Sequence, residues 1–274
     1  MPATKVLITG AAGRIGSAIW RTLELEPRRY KLSGLDTKQA AGRAVTIGDI
    51  SEMTTVRGAV EGQEVVVHMA ADPSGHAPWE SVLRNNIIGT YNVFEASRLA
   101  GVKRIVFAST CQVVWNHEGD FPYSAIVEGR YNEVPANYPL ITKDWPVRPW
   151  GLYAAAKAWG EDLGRCYSDR YGISVVCLRI GAVNTQDKPL SSVRHFAIWC
   201  SQRDVAQLAK RCIDAPSSLK FDVFFAVSNN KWRIWDIEHA RRVVGFQPQD
   251  NAEDWRQRFE AQGGGAPVKA GILP

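Results

Sequence analysis

Three observations predict an α/β fold built as a doubly wound parallel sheet. Short β-branched runs alternate along the chain with longer amphipathic stretches, and those runs lack the polar alternation of a half-exposed strand. A glycine-rich turn joins the first run to the first helical pattern. Strands covered on both faces lose their polar positions, and linking them through helices requires right-handed crossovers between parallel neighbours.

The elements follow in order. KVLIT (5–9) is the first strand, and the amphipathic stretch at about 14–25 the first helix. YKLSGL (30–35) is the second strand, followed by a helix at 53–61 and then EVVVHMA (64–70). A long helical pattern at 79–100 leads to RIVFAS (104–109), and another at 152–171 leads to SVVCLRI (174–180). A helix at 201–214 and FDVFFAV (221–227) complete the series. With 274 residues the chain suits one continuous α/β unit, here a core over 1–182, with the long interval 111–152 inside it, and a smaller region over 183–274.

Composition removes several classes. Hydrophobic residues at 45% and charged residues at 22% exclude wholesale disorder. The net charge of +5 is scattered among acids, as in Glu26 to Arg29 and Arg203-Asp204, so no nucleic-acid surface is expected. The five cysteines form no C-x-x-C pair and have no histidine at metal-ligand spacing, so no metal is expected and the thiols read as free in a reducing, cytoplasmic compartment. No apolar run is long enough to span a membrane, and no signal peptide is read at the start.

The first chemical signal is TGAAGRIG, which places Gly10, Gly13 and Gly16 where a strand turns into a helix. Without side chains there, a dinucleotide pyrophosphate can approach the amides and the positive end of the helix. Asp36 follows about twenty residues beyond Gly16, where a carboxylate accepts both ribose hydroxyls and repels a 2′-phosphate, which favours NAD over NADP. The second signal is Tyr153-Ala-Ala-Ala-Lys157: on one helix face, an ammonium can lower the tyrosine pKa and let the phenolate act as a base. The third is Ser109-Thr110, at the C-terminal edge of a strand where parallel sheets hold their ligands.

Together, GxxGxxG, Asp36, Asp49, HMAA, Asn86, Ser109-Thr110 and YxxxK resemble the extended short-chain dehydrogenase/reductase family, the NAD-dependent epimerases and dehydratases. Within it the chain is most similar to uronate dehydrogenases, through NNIIGTYNVFEAS (85–97), LRIGAV (178–183), WCSQRD (199–204) and the stretch 235–253. The resemblance implies a Rossmann-type fold, NAD as cofactor, and oxidation of a uronate or aldose at C1 to the lactone. Thr110 would bond the substrate, Tyr153 would be the base, Lys157 would hold the nicotinamide ribose, and Asn86 would support the catalytic helix and its proton relay. Arg14 and Ile15 would meet the phosphates with the glycines, Asp49 and Ile50 would flank the adenine, and Ala70, Ala71 and Ser109 would line the cofactor path. The expected partner is a small-molecule sugar, in a homo-oligomer.

For the sugar, the expected contacts are Ser74 and His76 in the loop ADPSGHAPW, then Thr110, Cys111 and Gln112. Arg179 is expected to hold a substrate carboxylate through two parallel donors, against a structural role paired to an acid such as Asp187 or a place on the cofactor phosphates. Two departures stand out: Cys111-Gln112 replace the Asn-His usual in uronate enzymes, and the interval from Thr110 to Tyr153 is longer than in that family. The resulting insertion carries Trp115, Trp145, Trp150, Tyr123, Tyr131 and Tyr138 among five prolines, and reads either as a pocket or interface device or as a packed surface excursion. His68, inside a strand, reads as a hydrogen-bonded structural histidine. The alternatives are a neutral-aldose or sugar-phosphate dehydrogenase, a nucleotide-sugar epimerase or dehydratase, and a dinucleotide-sensing regulator.

Overall fold

The computed structural model describes residues 2–264 and forms a seven-stranded, wholly parallel sheet flanked by helices. Strands β1 (Thr4–Thr9), β2 (Tyr30–Asp36), β3 (Val45–Ile47), β4 (Val65–His68), β5 (Arg104–Thr110), β6 (Ser174–Ile180) and β7 (Phe221–Ala226) lie in the order β3-β2-β1-β4-β5-β6-β7. Six are the runs expected from the sequence. The seventh, β3, spans three residues beside Gly48 and is too short to show a period. The order reverses between β1 and β4, so the crevice beyond their C-terminal ends is the topological switch point.

Two apolar layers hold the sheet. Helices α1 (Arg14–Leu23) and α8 (Gln202–Ile213) cover one face, where Ile19, Trp20, Leu23, Val205 and Leu208 pack on Val6, Ile8, Val106 and Leu178. On the other face, α2 (Met53–Val60), α4 (Gly89–Leu99) and α6 (Gly151–Tyr171) place Val56, Phe94 and Tyr167 against Leu7, Phe107 and Cys177. The expected helix at 79–100 comprises a short turn α3 (Trp79–Ser81), a π-helical stretch Val82–Ile88 and α4. Beyond position 182, α8 joins the helical layer and β7 completes the sheet, so the core continues past the boundary expected there. Residues 265–274 of the C-terminal region, with Gly265 of its glycine run, lie outside the described residues.

The 111–152 insertion folds against the core. A 3₁₀ stretch, Cys111–Gly119, and α5 (Tyr123–Val127) bury Val113, Val114, Tyr123, Ile126 and Val127 among the α1 and α8 layer residues. Backbone bonds from Arg148 N–H to Val113 O and from Trp150 N–H to Gln112 O close the excursion at its base, at 2.9 and 3.3 Å. Shorter helices α7 (His195–Ile198), α9 (Glu238–Val244) and α10 (Arg256–Ala261) complete the C-terminal third.

Candidate active site

β1 runs into Gly10, whose φ of 70° is left-handed. A Cβ there would lie 2.8 Å from Ala70 N, and one at Gly16 only 2.1 Å from Gly10 O, so the backbones of the first turn, α1 and the β4 exit meet with no room for side chains. Gly13 is the N-cap of α1 and no side chain caps that helix, which leaves its first amides to an anion. A cleft of about 580 Å³ opens here, lined by Gly10, Gly13, Arg14, Ile15, Gly16, Asp36, Asp49, Ile50, Ala70 and Ala71, all expected from the sequence. Lys38 lines it as well, as do Ala12, Thr37, Met69, Asp72, Pro73 and Asn85, which were not singled out from sequence because loop neighbours of a motif carry no pattern of their own.

Asp36 is oriented by two backbone donors, Ala12 N–H at 2.9 Å and Lys38 N–H at 3.0 Å, with carboxylate lone pairs left over for vicinal hydroxyls. Asp49 pairs with Arg84 at 2.9 Å, and Arg14 is tied to Val183 O and Thr185 Oγ1 at 2.8 and 2.9 Å. The glycine loop, the empty helix cap and the ribose carboxylate fit a dinucleotide.

At the edge next to this cleft, β5 delivers Thr110 and the first turns of α6 deliver Tyr153 and Lys157. Burial pushes the Tyr153 phenol up to about 12 while a hydrogen bond with Thr110 pulls the other way. Lys157 is enclosed, its Nζ 4.9 Å from the centre of the Phe107 ring and 5.9 Å from that of Tyr153, and burial pushes it down to about 7. The expected lowering of the tyrosine by the lysine is therefore absent in the protein alone. Desolvation outweighs attraction, and an amine near its midpoint at neutral pH carries only part of a charge.

Several expected substrate and cofactor contacts are redirected. Arg179, 3% exposed, turns toward α6 and gives Nε and Nη2 to Glu161 at 3.0 and 2.8 Å. Strand alternation puts it on the face of Val175 and Cys177, under the helix rather than in the crevice, so it is a structural arginine whose acid is Glu161, not Asp187. Ser109 donates to the same Glu161 at 2.5 Å and does not present its hydroxyl to the cofactor cleft. Cys111 faces the core, its Sγ on Arg179 O at 3.1 Å, and makes no sugar contact. Asn86 clamps the Asp72 backbone from both sides, accepting from Asp72 N–H at 2.8 Å and donating to its carbonyl at 3.1 Å, which fixes the β4 exit loop rather than α6.

Gln112 N–H meets Thr110 Oγ1 at 3.2 Å, and exposed Ser74 accepts from His76 N–H at 3.2 Å. The His76 ring packs edge-on against Trp150, centroids 5.5 Å apart, and Trp150 lies 6.3 Å from Trp115. His68 is fully buried between Thr9 and Thr90 at 2.8 and 3.3 Å, and burial pushes it down to about 3, the structural role expected of it. Glu161 was missed in the sequence, although it continues the Tyr153–Lys157 stripe by one more helical turn.

The family model of NAD-dependent epimerases and dehydratases matches residues 6–203. The chain belongs to this family. Membership makes NAD its cofactor and hydride transfer its chemistry. A NAD-dependent glucose-6-phosphate dehydrogenase of Haloferax volcanii is 36% identical over 91% of the chain and 95% of its own length. A uronate dehydrogenase of Pseudomonas putida is 32% identical over 95% of the chain and 90% of its own. The crystal structure of the Agrobacterium tumefaciens uronate dehydrogenase superposes with a TM-score of 0.80 at 30% identity, covering 99% of the chain and 93% of that enzyme. No helix among the described residues is long and apolar enough to cross a membrane.

Proposed function

We propose that this protein is a NAD-dependent sugar dehydrogenase that oxidises the anomeric carbon of a uronate or aldose to the lactone. The observation that carries the reading is the meeting of Thr110 and Tyr153, with Lys157 one turn further along the same helix, at the sheet edge beside the Gly10–Asp36 cleft. The dehydrogenase names of the relatives, at 32% and 36% identity, support it.

NAD, when bound, would supply the acceptor for the hydride from C1. Thr110 accepts and donates at the C1 hydroxyl, holding it against the phenol. Tyr153 removes the hydroxyl proton as the C1 carbonyl forms, and its raised pKa means that the reactive phenolate is scarce at neutral pH. Lys157 favours the anionic stage to the extent that it is protonated. Asp36 would hold the adenosine ribose, and the uncapped start of α1 the pyrophosphate. The C-terminal third, through 183–264, would wall the sugar.

Purified protein incubated with NAD and a panel of uronates, aldoses and sugar phosphates should produce reduced cofactor, and nuclear magnetic resonance should find the lactone. Reduction of NAD by none of these sugars would end the reading.

A further inference from the structure

With Arg179 engaged under α6, a charged substrate would need another cation at this edge. Arg194 is the other buried guanidinium near this edge, 9% exposed and stacked over the Trp115 ring at 3.4 Å from its centre. Trp115 is linked ring to ring through Trp150 to His76, so Arg194 closes the wall that starts at the substrate loop. Its planar fork is already taken. Nε and Nη2 meet the two oxygens of Glu118 at 2.7 Å each, and Glu118 is fully buried.

Glu118 comes from the 3₁₀ stretch that follows Thr110, inside the insertion, whereas Arg194 comes from the segment after β6. Thus the insertion brings its own carboxylate to this arginine. A second anion there would face a neutralised fork and an enclosed like charge. The same 3₁₀ stretch holds Gln112 Oε1 and Trp115 Nε1 without protein partners, an acceptor and a donor of the kind that hydroxyls match.

We infer that the buried Glu118–Arg194 pair makes this site selective for uncharged aldoses over uronates and sugar phosphates. The inference rests on the proposed sugar dehydrogenase activity and deepens it. Glu118 is thereby a specificity-determining residue that acts through Arg194.

The test compares kcat/KM of the full-length enzyme with NAD for glucose, galactose and arabinose, for glucuronate and galacturonate, and for glucose 6-phosphate. The neutral sugars should exceed the charged ones by at least about tenfold. Glu118→Gln keeps the shape but releases the charge of Arg194, so uronate kcat/KM should rise by about tenfold or more relative to the matching neutral sugar, through KM rather than kcat. If Glu118→Gln does not fold, the wild-type ratios alone decide. Preference for uronates or for the phosphate overturns the inference while leaving the dehydrogenase reading intact. So does a Glu118→Gln enzyme whose ratio is unchanged. Failure with every sugar removes the dehydrogenase reading itself.

Discussion

Replacing Lys157 by Met should make the protein more stable and nearly inactive. The ammonium is enclosed and makes no ion pair among the described residues, and burial takes it from 10.5 to about 7. At about 1.4 kcal/mol per unit, a lysine that must shift this far costs the fold roughly 4 kcal/mol at pH 7. The unfolded chain binds more protons than the native one between pH 7 and 10.5, so wild-type stability rises with pH through that window and falls as pH drops toward 7. Methionine keeps most of the aliphatic stem on the Phe107 ring and removes the titration. Thermal denaturation of the cofactor-free protein should give a Tm for Lys157→Met higher by roughly 5–10 °C at pH 7, with the gap closing toward pH 10. Turnover should fall by about a hundredfold or more. A lower Tm, or a gap independent of pH, would refute the account of Lys157 as a desolvated amine retained for function.

Tyr153→Phe preserves ring packing and removes the base, so turnover should fall by about a hundredfold or more while NAD affinity, followed by fluorescence titration, stays near wild type. In the wild type, kcat/KM should climb with pH across the alkaline range, because the phenol is pushed up to about 12; a flat profile from pH 6 to 10 would count against Tyr153 as the base. Asp36→Ala removes the group that repels a 2′-phosphate, and should shift the NADP to NAD efficiency ratio upward by about tenfold. Arg179→Met alone strands Glu161 in the core and should cost about 3–5 kcal/mol in urea denaturation, whereas Arg179→Met combined with Glu161→Leu should recover much of that loss. Additive losses in the double variant would show that the pair is not coupled.

Six of the seven strands were legible in the sequence because their centres are buried on both faces and carry runs of apolar residues, and the first turn was legible because its glycines serve backbone geometry that admits few alternatives, whereas β3 was too short and too exposed to show. The glycine turn, Asp36, Asp49, Ile50, Ala70 and Ala71, which line the cleft, were legible from their motifs, whereas the loop residues between them were not. Thr110, Tyr153 and Lys157 were found as a group, since two of them share a helix face and the third ends a strand that must reach the same edge.

What the charged residues do was decided only by the tertiary structure. Strand alternation shows that Arg179 shares a face with Val175 and Cys177, but in a sheet covered on both sides parity does not tell which layer holds an acid; Glu161 on α6 supplied it. Glu118 and Arg194 belong to an insertion and to a segment beyond β6, so no local pattern links them, and only the folding of 111–152 onto the core brings them to 2.7 Å. The direction of the Tyr153 and Lys157 shifts also came from packing. Spacing predicts a neighbouring charge, whereas the pKa follows the water that the fold removes, and here its removal outweighed the neighbour.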